Sequence, residues 1–212
     1  FDTKRKRSLP QFPEKIGVIA SRESAAYSDF MRITNQRWGG LEIYLYHGQV
    51  QGAHAVDDIV KAFEWFNTVG VEEGVQSLAL IRGGGSLEDL QAFNSESVAR
   101  AVFSSRIPVV CGVGHERDET LADFAADVRA ATPTHAASII VSDRRDLLSA
   151  IDGATSSLSR SIDYTLEWHS HGVQSHLATL QSSLHRHTRQ LQEVMHGILR
   201  ARERIEHALL TH

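Results

Sequence analysis

The chain contains one cysteine, Cys111, among its 212 residues and therefore cannot form an internal disulfide bond. Because disulfide-built folds belong mainly to oxidising compartments, this scarcity favours a reducing, cytoplasmic location. Cys111 lies within an apolar run, where we expect it to be a small buried side chain. No run of about 18 or more apolar residues occurs, which argues against a membrane-spanning helix.

Proline is also scarce, and positive charge is not in excess. The four prolines end at Pro133, and 26 acidic residues against 22 Lys and Arg give a formal net charge of -4. This balance argues against a broadly basic nucleic-acid surface, so a site for a polyanion would have to be local. Residues 1–13 combine the basic stretch Lys4–Arg7 with two prolines and are expected to be a linker. The linker is either a solvated tether or a contact to a phosphate backbone. The chain starts without Met, so we expect it to be part of a longer protein.

Apolar, strand-like runs alternate with amphipathic, helix-like segments over residues 14–136. Strands are predicted at 15–21, 41–50, 76–82 and 107–114, and helices at 24–40, 55–70, 86–105 and 119–130. The helix over 86–105 is expected to be interrupted near Asn94. Continuous apolar strands are typical of a parallel sheet that is buried on both faces. The predicted fold class is therefore α/β, a parallel sheet with flanking helices.

The character of the chain changes after Pro133, and residues 137–212 are predicted to form a long coiled-coil-like helical arm. Apolar residues recur there at alternating steps of three and four, which is the spacing of a heptad seam. We predict two long helices that turn near Gly172. A helical arm of this length suggests an interaction with another copy or with a different subunit. The seam consists of Leu177, Leu180, Leu184, His187, Leu191, Val194, Ile198, Ala201, Ile205 and Ala208.

Three loops follow predicted strands and carry polar or glycine residues. Since the carboxyl ends of parallel strands share one edge of a sheet, side chains of these loops should lie at the same edge. The first loop is Ser21–Ser24, with Asp29 in the helix after it. The second is Arg82–Ser86 and the third is Gly114–Asp118.

The second loop has the chemistry of an anion site. Gly83, Gly84 and Gly85 allow the backbone N–H groups to approach a ligand closely, and Ser86 is a natural helix N-cap. A helix start favours negative charge, and the planar guanidinium of Arg82 suits a phosphate. A plain tight turn is the alternative interpretation. The loop lacks the Lys-Ser or Lys-Thr of a P-loop and the glycine spacing of a dinucleotide fingerprint.

The third loop offers acid–base chemistry. His115 can accept or deliver a proton near neutral pH, and Asp118 could orient it. A hydrogen-bonded structural loop is the alternative. Asp123 and Asp127, at i and i+4 of the predicted helix 119–130, could together hold a metal ion, although helix capping or a solvated face is the simpler interpretation.

Residues 81–138 resemble the catalytic domain of the exonuclease VII large subunit. The resemblance is carried by IRGGGSLEDLQAFN and by IPVVCGVGHERDETLADFAAD, with looser similarity in FDTKRKRSLPQFPEKIGVIAS and VQGAHA. It implies a bacterial enzyme that degrades single-stranded DNA from both ends to short oligonucleotides. It implies no required cofactor, although a divalent metal could stimulate. It also implies an OB-fold ahead of the linker and several copies of a small helical subunit on the arm.

The family's functional residues match Asp29, Arg82, His115 and Asp118, so the resemblance implies that these four are catalytic. The family usually has S-P-T-G-A-A after the first strand, whereas this chain has S-R-E-S-A-A at 21–26. The exchange removes a glycine that would admit a phosphate and adds the charge of Glu23, which could shift the substrate or lower the activity.

We therefore expect a metal-independent single-stranded DNA exonuclease subunit. Two alternatives remain open at this point. One is a catalytically weak scaffold subunit that binds DNA and a small helical partner, and which could self-associate through the arm. The other is a metal-dependent phosphoesterase that uses Asp123 and Asp127.

Overall fold

The computed structural model describes residues 3–84, 87–114 and 118–210, without the side chains of 3, 87–89 and 205–210. The chain divides into two compact units, Phe1–Ala150 and Ile151–His212. In the part of the chain that is described, no helix combines the length and apolar character needed to cross a bilayer.

The first unit contains a five-stranded parallel sheet. Its strands, in chain order, are β1 Lys15–Ala20, β2 Glu42–His47, β3 Ser77–Ile81, β4 Val109–Gly112 and β5 Val128–Arg129. They lie in the spatial order β2-β1-β3-β4-β5, and every neighbouring pair is parallel. The chain leaves β1 toward β2 on one side and later returns to β3 on the other. The order of strands thus reverses between β1 and β3, which is the topological switch point of the sheet.

Helices connect successive strands and cover both faces of the sheet. They are α1 Ala25–Arg37, α2 Ala55–Trp65, α3 Glu96–Phe103, α4 Leu121–Ala125 and α5 Pro133–Ile140. One π-helical turn, Phe66–Gly70, extends α2, and a 3₁₀ segment, Leu87–Asn94, precedes α3. The interruption predicted near Asn94 is therefore confirmed, because Ser95 has extended backbone angles between the two helical pieces.

Alternate residues of the inner strands enter two separate cores. Ile19, Leu78, Leu80 and Cys111 pack with helices α2, α3 and α4 on one face. Strand residues of opposite orientation pack with α1 and α5 on the other face. Strands with both faces covered need no polar residues, which explains why their sequences read as continuous apolar runs. Cys111 is fully buried, as expected, and burial raises the pKa of its thiol well above the ordinary value.

The helix predicted over 119–130 is wrong in its second half. Helix α4 ends at Ala125, and Ala126 has extended backbone angles. The chain then pairs with β4, where Asp127 N–H donates to Val109 O at 3.1 Å and Ala130 N–H donates to Cys111 O at 2.7 Å. Pairing with a buried strand outweighs the helical preference of this segment, and the result is the fifth strand that the sequence pattern did not indicate.

The second unit is helical, and the long coiled-coil-like helix predicted for it is present. The predicted turn near Gly172 is wrong, because α6 runs without interruption over Arg144–Leu210. A glycine within a helix costs only about 1 kcal/mol relative to alanine. Gly172 has no positive φ angle and no proline near it, so the single glycine does not stop the helix.

Candidate active site

A crevice opens at the carboxyl edge of the sheet, at the switch point between β1 and β3. Its volume is about 490 Å³. Sites for small ligands in open α/β sheets occur at this position, because the loops after the two strands run in opposite directions and leave a gap. The residues that line it are Ser21, Glu23, Ser24, Ala25, Gln49, Val50, Gln51, Gly83 and Gly84.

The first loop builds the start of helix α1. The hydroxyl of Ser24 accepts a hydrogen bond from Tyr27 N–H at 3.1 Å and donates one to Ser21 O at 2.7 Å. Ser24 therefore serves as the side-chain N-cap of α1, at the position where the resemblance predicts a glycine. The first turn of α1 carries no acidic residue.

Glu23 lies on the wall of the crevice and is ionised at neutral pH. Its own backbone N–H, then the Ser21 hydroxyl and the nearby charges of His47 and Arg22, lower the pKa of the carboxyl below its ordinary value. The Ser21 hydroxyl donates to Glu23 Oε2 at 3.2 Å, and His47 Nε2 lies 4.0 Å from the same oxygen. The crevice thus contains a negative charge.

The glycine loop after β3 contacts the start of α1. A Cβ atom placed on Gly83 would lie 3.7 Å from Ala26 Cβ and 3.9 Å from Ala26 N, so the first two predicted loops meet. Gly84 faces open space and lines the crevice. Gly85 and Ser86 lie outside the described residues.

Arg82 is buried, with 2% of its surface exposed, and is not among the residues that line the crevice. It directly precedes the glycine loop, and its backbone N–H donates to Gly112 O at 3.4 Å. A guanidinium carries its charge at every accessible pH, and its field is stronger in a poorly solvated position than in water.

Asp29 lies one helical turn after Ala25 on α1, and residues at this spacing share a helix face. Its carboxylate accepts a hydrogen bond from Arg32 at 2.9 Å, and about half of each side chain is exposed. Asp29 itself does not line the crevice. The Asp29 carboxylate is partly exposed to solvent, but it forms an ion pair with Arg32.

The third loop begins at the end of β4, the strand next to β3. Its ends come together at Gly114 and Asp118: a Cβ atom on Gly114 would collide with the carbonyl oxygen of Asp118. Asp118 is half-buried. His115, the predicted acid–base residue, lies outside the described residues, so the convergence of its imidazole with Arg82 stays a prediction.

Asp123 lies in the first turn of α4, which follows the third loop, and 2% of its surface is exposed. The backbone N–H and the hydroxyl of Thr120 donate to its Oδ2 at 2.9 and 2.8 Å, and Asp123 N–H donates back to Thr120 Oγ1 at 3.2 Å. This reciprocal capping box fixes the start of α4 immediately after the loop.

The structure does not support the alternative in which Asp123 and Asp127 share a helix face and hold a metal ion. The two residues do not share a helix, because α4 ends between them. Asp123 caps that helix, and Asp127 forms an ion pair with Arg7 at 2.7 Å. The simpler interpretation that was given for Asp123, helix capping, is confirmed.

Two features of this edge are missed when only three loops are considered. The loop after β2 contributes Gln49 and Gln51 to the crevice. The sequence indicated this loop, because residues 41–50 were predicted as a strand. The loop after a parallel strand belongs at the same edge as the other three loops. The second is Arg129 on β5, which donates to Glu119 at 2.8 Å beside the third loop; it could not be found without the fifth strand.

Comparison with known proteins places the whole chain in one family. The family model described as "Exonuclease VII, large subunit" matches residues 1–212. A protein of Geobacter metallireducens named "Exodeoxyribonuclease 7 large subunit" is 45% identical over 152 residues, which are 72% of this chain and 33% of that protein.

Relatives from distant bacteria show the same similarity. Proteins of the same name from Chlorobaculum tepidum and Streptococcus gordonii are 46% and 45% identical over 72% and 80% of this chain. The chain spans 38% and 37% of the length of these two relatives. The matching family model and the fold that carries its motifs agree: the chain belongs to the exonuclease VII large-subunit family.

Proposed function

We propose that the chain is the catalytic part of an exodeoxyribonuclease that hydrolyses single-stranded DNA from both ends to short oligonucleotides. The observation that carries this proposal is the meeting of the Ser21–Ser24 and Arg82–Gly84 loops at the switch-point crevice. The loop containing Asp118 follows the neighbouring strand at the same edge. Names of the relatives support a nuclease of this class.

Hydrolysis of a phosphodiester needs three contributions: a positioned water, stabilisation of negative charge on the phosphate, and a proton for the oxygen that leaves. We assign the second to the backbone N–H groups of Gly83–Gly85 and Ser86, assisted by the charge of Arg82 beneath them. Because Arg82 is buried, it acts on the phosphate through the loop that it supports.

The proton transfers are assigned to the other loops. His115 accepts the proton of the attacking water, or donates one to the leaving oxygen, and Asp118 orients its imidazole. Attack by His115 itself on phosphorus is the remaining alternative. Asp29 aligns the water or carries a second proton, which requires it to leave its contact with Arg32.

We propose that the reaction needs no divalent metal, because these side chains together supply all three contributions. A metal could still stimulate the reaction by shielding the charge of DNA.

The helical unit is proposed to bind several copies of a small helical subunit, or another copy of this chain, along its heptad seam. Seam residues Leu177, Leu184 and Leu191 are 53%, 66% and 71% exposed. A row of large apolar side chains that stays in water over this length favours burial against a partner helix.

A scaffold subunit with weak catalysis is the second candidate. Glu23 favours it, because an ionised carboxylate on the crevice wall repels the phosphate that the glycine loop would hold.

A digestion assay tests both candidates. The full-length protein with its small subunit is incubated with single-stranded DNA in excess EDTA, and the products are measured. We expect cleavage by the native enzyme and a loss of about 10²- to 10⁴-fold for His115→Ala. Near-full cleavage by His115→Ala contradicts the assignment of the base. No products from the native protein under any pairing favour the scaffold, and cleavage only with added metal contradicts metal independence.

A further inference from the structure

The chemistry of the crevice is not that of a phosphate site along its whole length. At one end are the backbone groups of Gly83 and Gly84. The other polar residues that line it carry two carboxamides, two hydroxyls and one carboxylate; they are Gln49, Gln51, Ser21, Ser24 and Glu23. Among the described residues that line the crevice, none is basic.

This distribution of polar groups favours the phosphate and the base of a nucleotide in different parts of the crevice. A phosphate is favoured next to glycine N–H groups, but it is repelled by an ionised Glu23. A nucleobase has the opposite preference, because its edge presents neutral donors and acceptors that pair with carboxamides and carboxylates. The volume of about 490 Å³ is within the range of pockets that hold a small molecule.

The loop after β2 is held in place before any ligand binds. Gln49 N–H donates to Asp58 Oδ2 at 2.8 Å, and Asp58 lies in the first turn of α2. Val50, between the two glutamines, is 3% exposed and packs into the core. Because the backbone on either side is fixed, the two carboxamides extend from a rigid support, which lowers the entropy lost on binding.

We propose that the crevice is a nucleobase subsite, which holds the base of a nucleotide adjacent to the phosphate at the glycine loop. Gln49, Gln51 and Glu23 are its specificity-determining residues. The proposal rests on the proposed function, and it gives a reason for single-strand selectivity: a base can enter the crevice only when its pairing edge is free.

The first experiment removes the base and the side chain separately. The full-length enzyme with its small subunit cleaves a single-stranded oligonucleotide and a matched one whose terminal nucleotides are abasic. For the native enzyme, kcat/KM should fall about tenfold on the abasic substrate, the effect of one well-placed set of base contacts. Gln51→Ala should lose about as much on the intact substrate and nothing further on the abasic one. Equal losses by Gln51→Ala on both substrates, or no loss on either, overturn the proposal.

The second experiment tests the carboxylate. Glu23→Gln keeps the shape of the side chain but replaces one acceptor with a donor, so the relative cleavage rates of the four homopolymers should change severalfold. Glu72→Gln is the matched control, because Glu72 is exposed in the segment before β3, at the opposite edge of the sheet. The same rate ratios in Glu23→Gln and in the native enzyme overturn the role of Glu23.

Failure of the subsite and failure of the proposed function give different results. A native enzyme that cleaves intact and abasic DNA equally well keeps its function and loses the subsite. If the native enzyme cleaves neither, the function fails, and fluorescence anisotropy with the same two oligonucleotides decides on the subsite. Weaker binding of the abasic oligonucleotide by the native protein, but not by Gln51→Ala, then supports it, and equal binding overturns it.

Discussion

Arg7 binds Asp127 across 120 positions of the sequence. The carboxylate accepts hydrogen bonds from the Arg7 backbone N–H at 2.7 Å, from Nε at 3.0 Å and from Nη2 at 2.7 Å. Val109 N–H donates to the same carboxylate at 2.8 Å, and Arg7 Nη1 donates to Ser105 O at 2.7 Å. The basic segment is therefore attached at the amino-terminal end of β4, at the edge of the sheet opposite the crevice. Because Arg7 binds Asp127, the segment at Arg7 is not a solvated tether, and this guanidinium is not the phosphate contact that the sequence allowed.

We expect Asp127→Ala to lower the free energy of unfolding by about 2–3 kcal/mol. The Asp127 side chain is 6% exposed, and its removal leaves Arg7 and Val109 N–H without their acceptor. Urea denaturation of the native protein and the variant measures the difference. The control is Asp163→Asn on the exposed surface of α6, which should change the stability by less than about 0.5 kcal/mol. A similar small change for Asp127→Ala would show that the contact does not contribute to stability.

The contribution of Asp127 should depend on pH. Burial by itself raises the pKa of this carboxyl, but the hydrogen bonds from Arg7 and Val109 outweigh burial and lower the pKa below the ordinary value. A carboxyl with a lowered pKa in the folded state stabilises the protein above its unfolded pKa of about 3.9. The stabilisation is lost as the pH falls through the folded pKa. The stability difference between the native protein and Asp127→Asn should therefore be full at neutral pH and shrink under acid conditions. A difference that grows on acidification contradicts this prediction.

Gly114→Ala should lower the rate of cleavage about 100-fold while leaving the fold intact. A Cβ atom at this position would collide with the carbonyl oxygen of Asp118, so the third loop would have to move. A displacement of about 1 Å at a catalytic group costs roughly 10²-fold in rate. Gly39→Ala is the matched control, since a Cβ atom there meets nothing within 4 Å and Gly39 precedes β2, at the edge of the sheet opposite the crevice. Digestion rates and circular dichroism of both variants provide the measurement. Native activity in Gly114→Ala would show that the geometry of this turn does not matter for cleavage.

The inner sheet could be predicted because its strands are buried on both faces. Runs such as KIGVIA and SLALI contain no alternation, and neighbouring strands had to be parallel. Strand β5 could not be predicted, because its two residues, Val128 and Arg129, are too few to show a period. Their position depends on hydrogen bonds to β4. Gly172 misled for a different reason, because one glycine without a proline nearby costs too little to stop a long helix.

The position of the crevice could be predicted from the sequence, but the arrangement of the residues around it could not. Strand order placed the loops at one edge, and the glycine run identified one wall. The sequence does not show that Gly83 lies against the start of α1, that Arg82 is covered, or that Gln49 and Gln51 face the same space. These facts depend on how far each strand extends before its loop begins. The exchange of glycine for Ser24 was visible, but its consequence, a helix cap, depends on the local backbone angles.

Asp123→Ala should destabilise the first unit more than the loss of a surface cap would. The variant removes the acceptor for both Thr120 donors and leaves the Thr120 N–H buried. Loss of a cap costs about 1 kcal/mol, and an unsatisfied buried donor adds about 1–3 kcal/mol. Asp123→Asn keeps a carbonyl acceptor and should recover part of the loss. Thermal denaturation monitored by circular dichroism measures both variants. Identical melting of Asp123→Ala and the native protein would contradict a structural role for this capping box.

The helical unit gives the last prediction. Leu184 and Leu191 are 66% and 71% exposed on the heptad seam, and burying a leucine against a partner contributes about 1.5–3 kcal/mol. Replacing both with Asp should weaken association with the small subunit or with a second copy by at least about 100-fold. Ser182→Asp, which lies off the seam on the same helix, adds the same side chain without removing an apolar contact and should leave association unchanged. Sedimentation of the full-length protein, alone and with the small subunit, measures both effects. The α/β unit should melt at the same temperature in every variant. Equal assembly of the seam variant and the Ser182→Asp control would mean that the partner, if the helix has one, binds a different face.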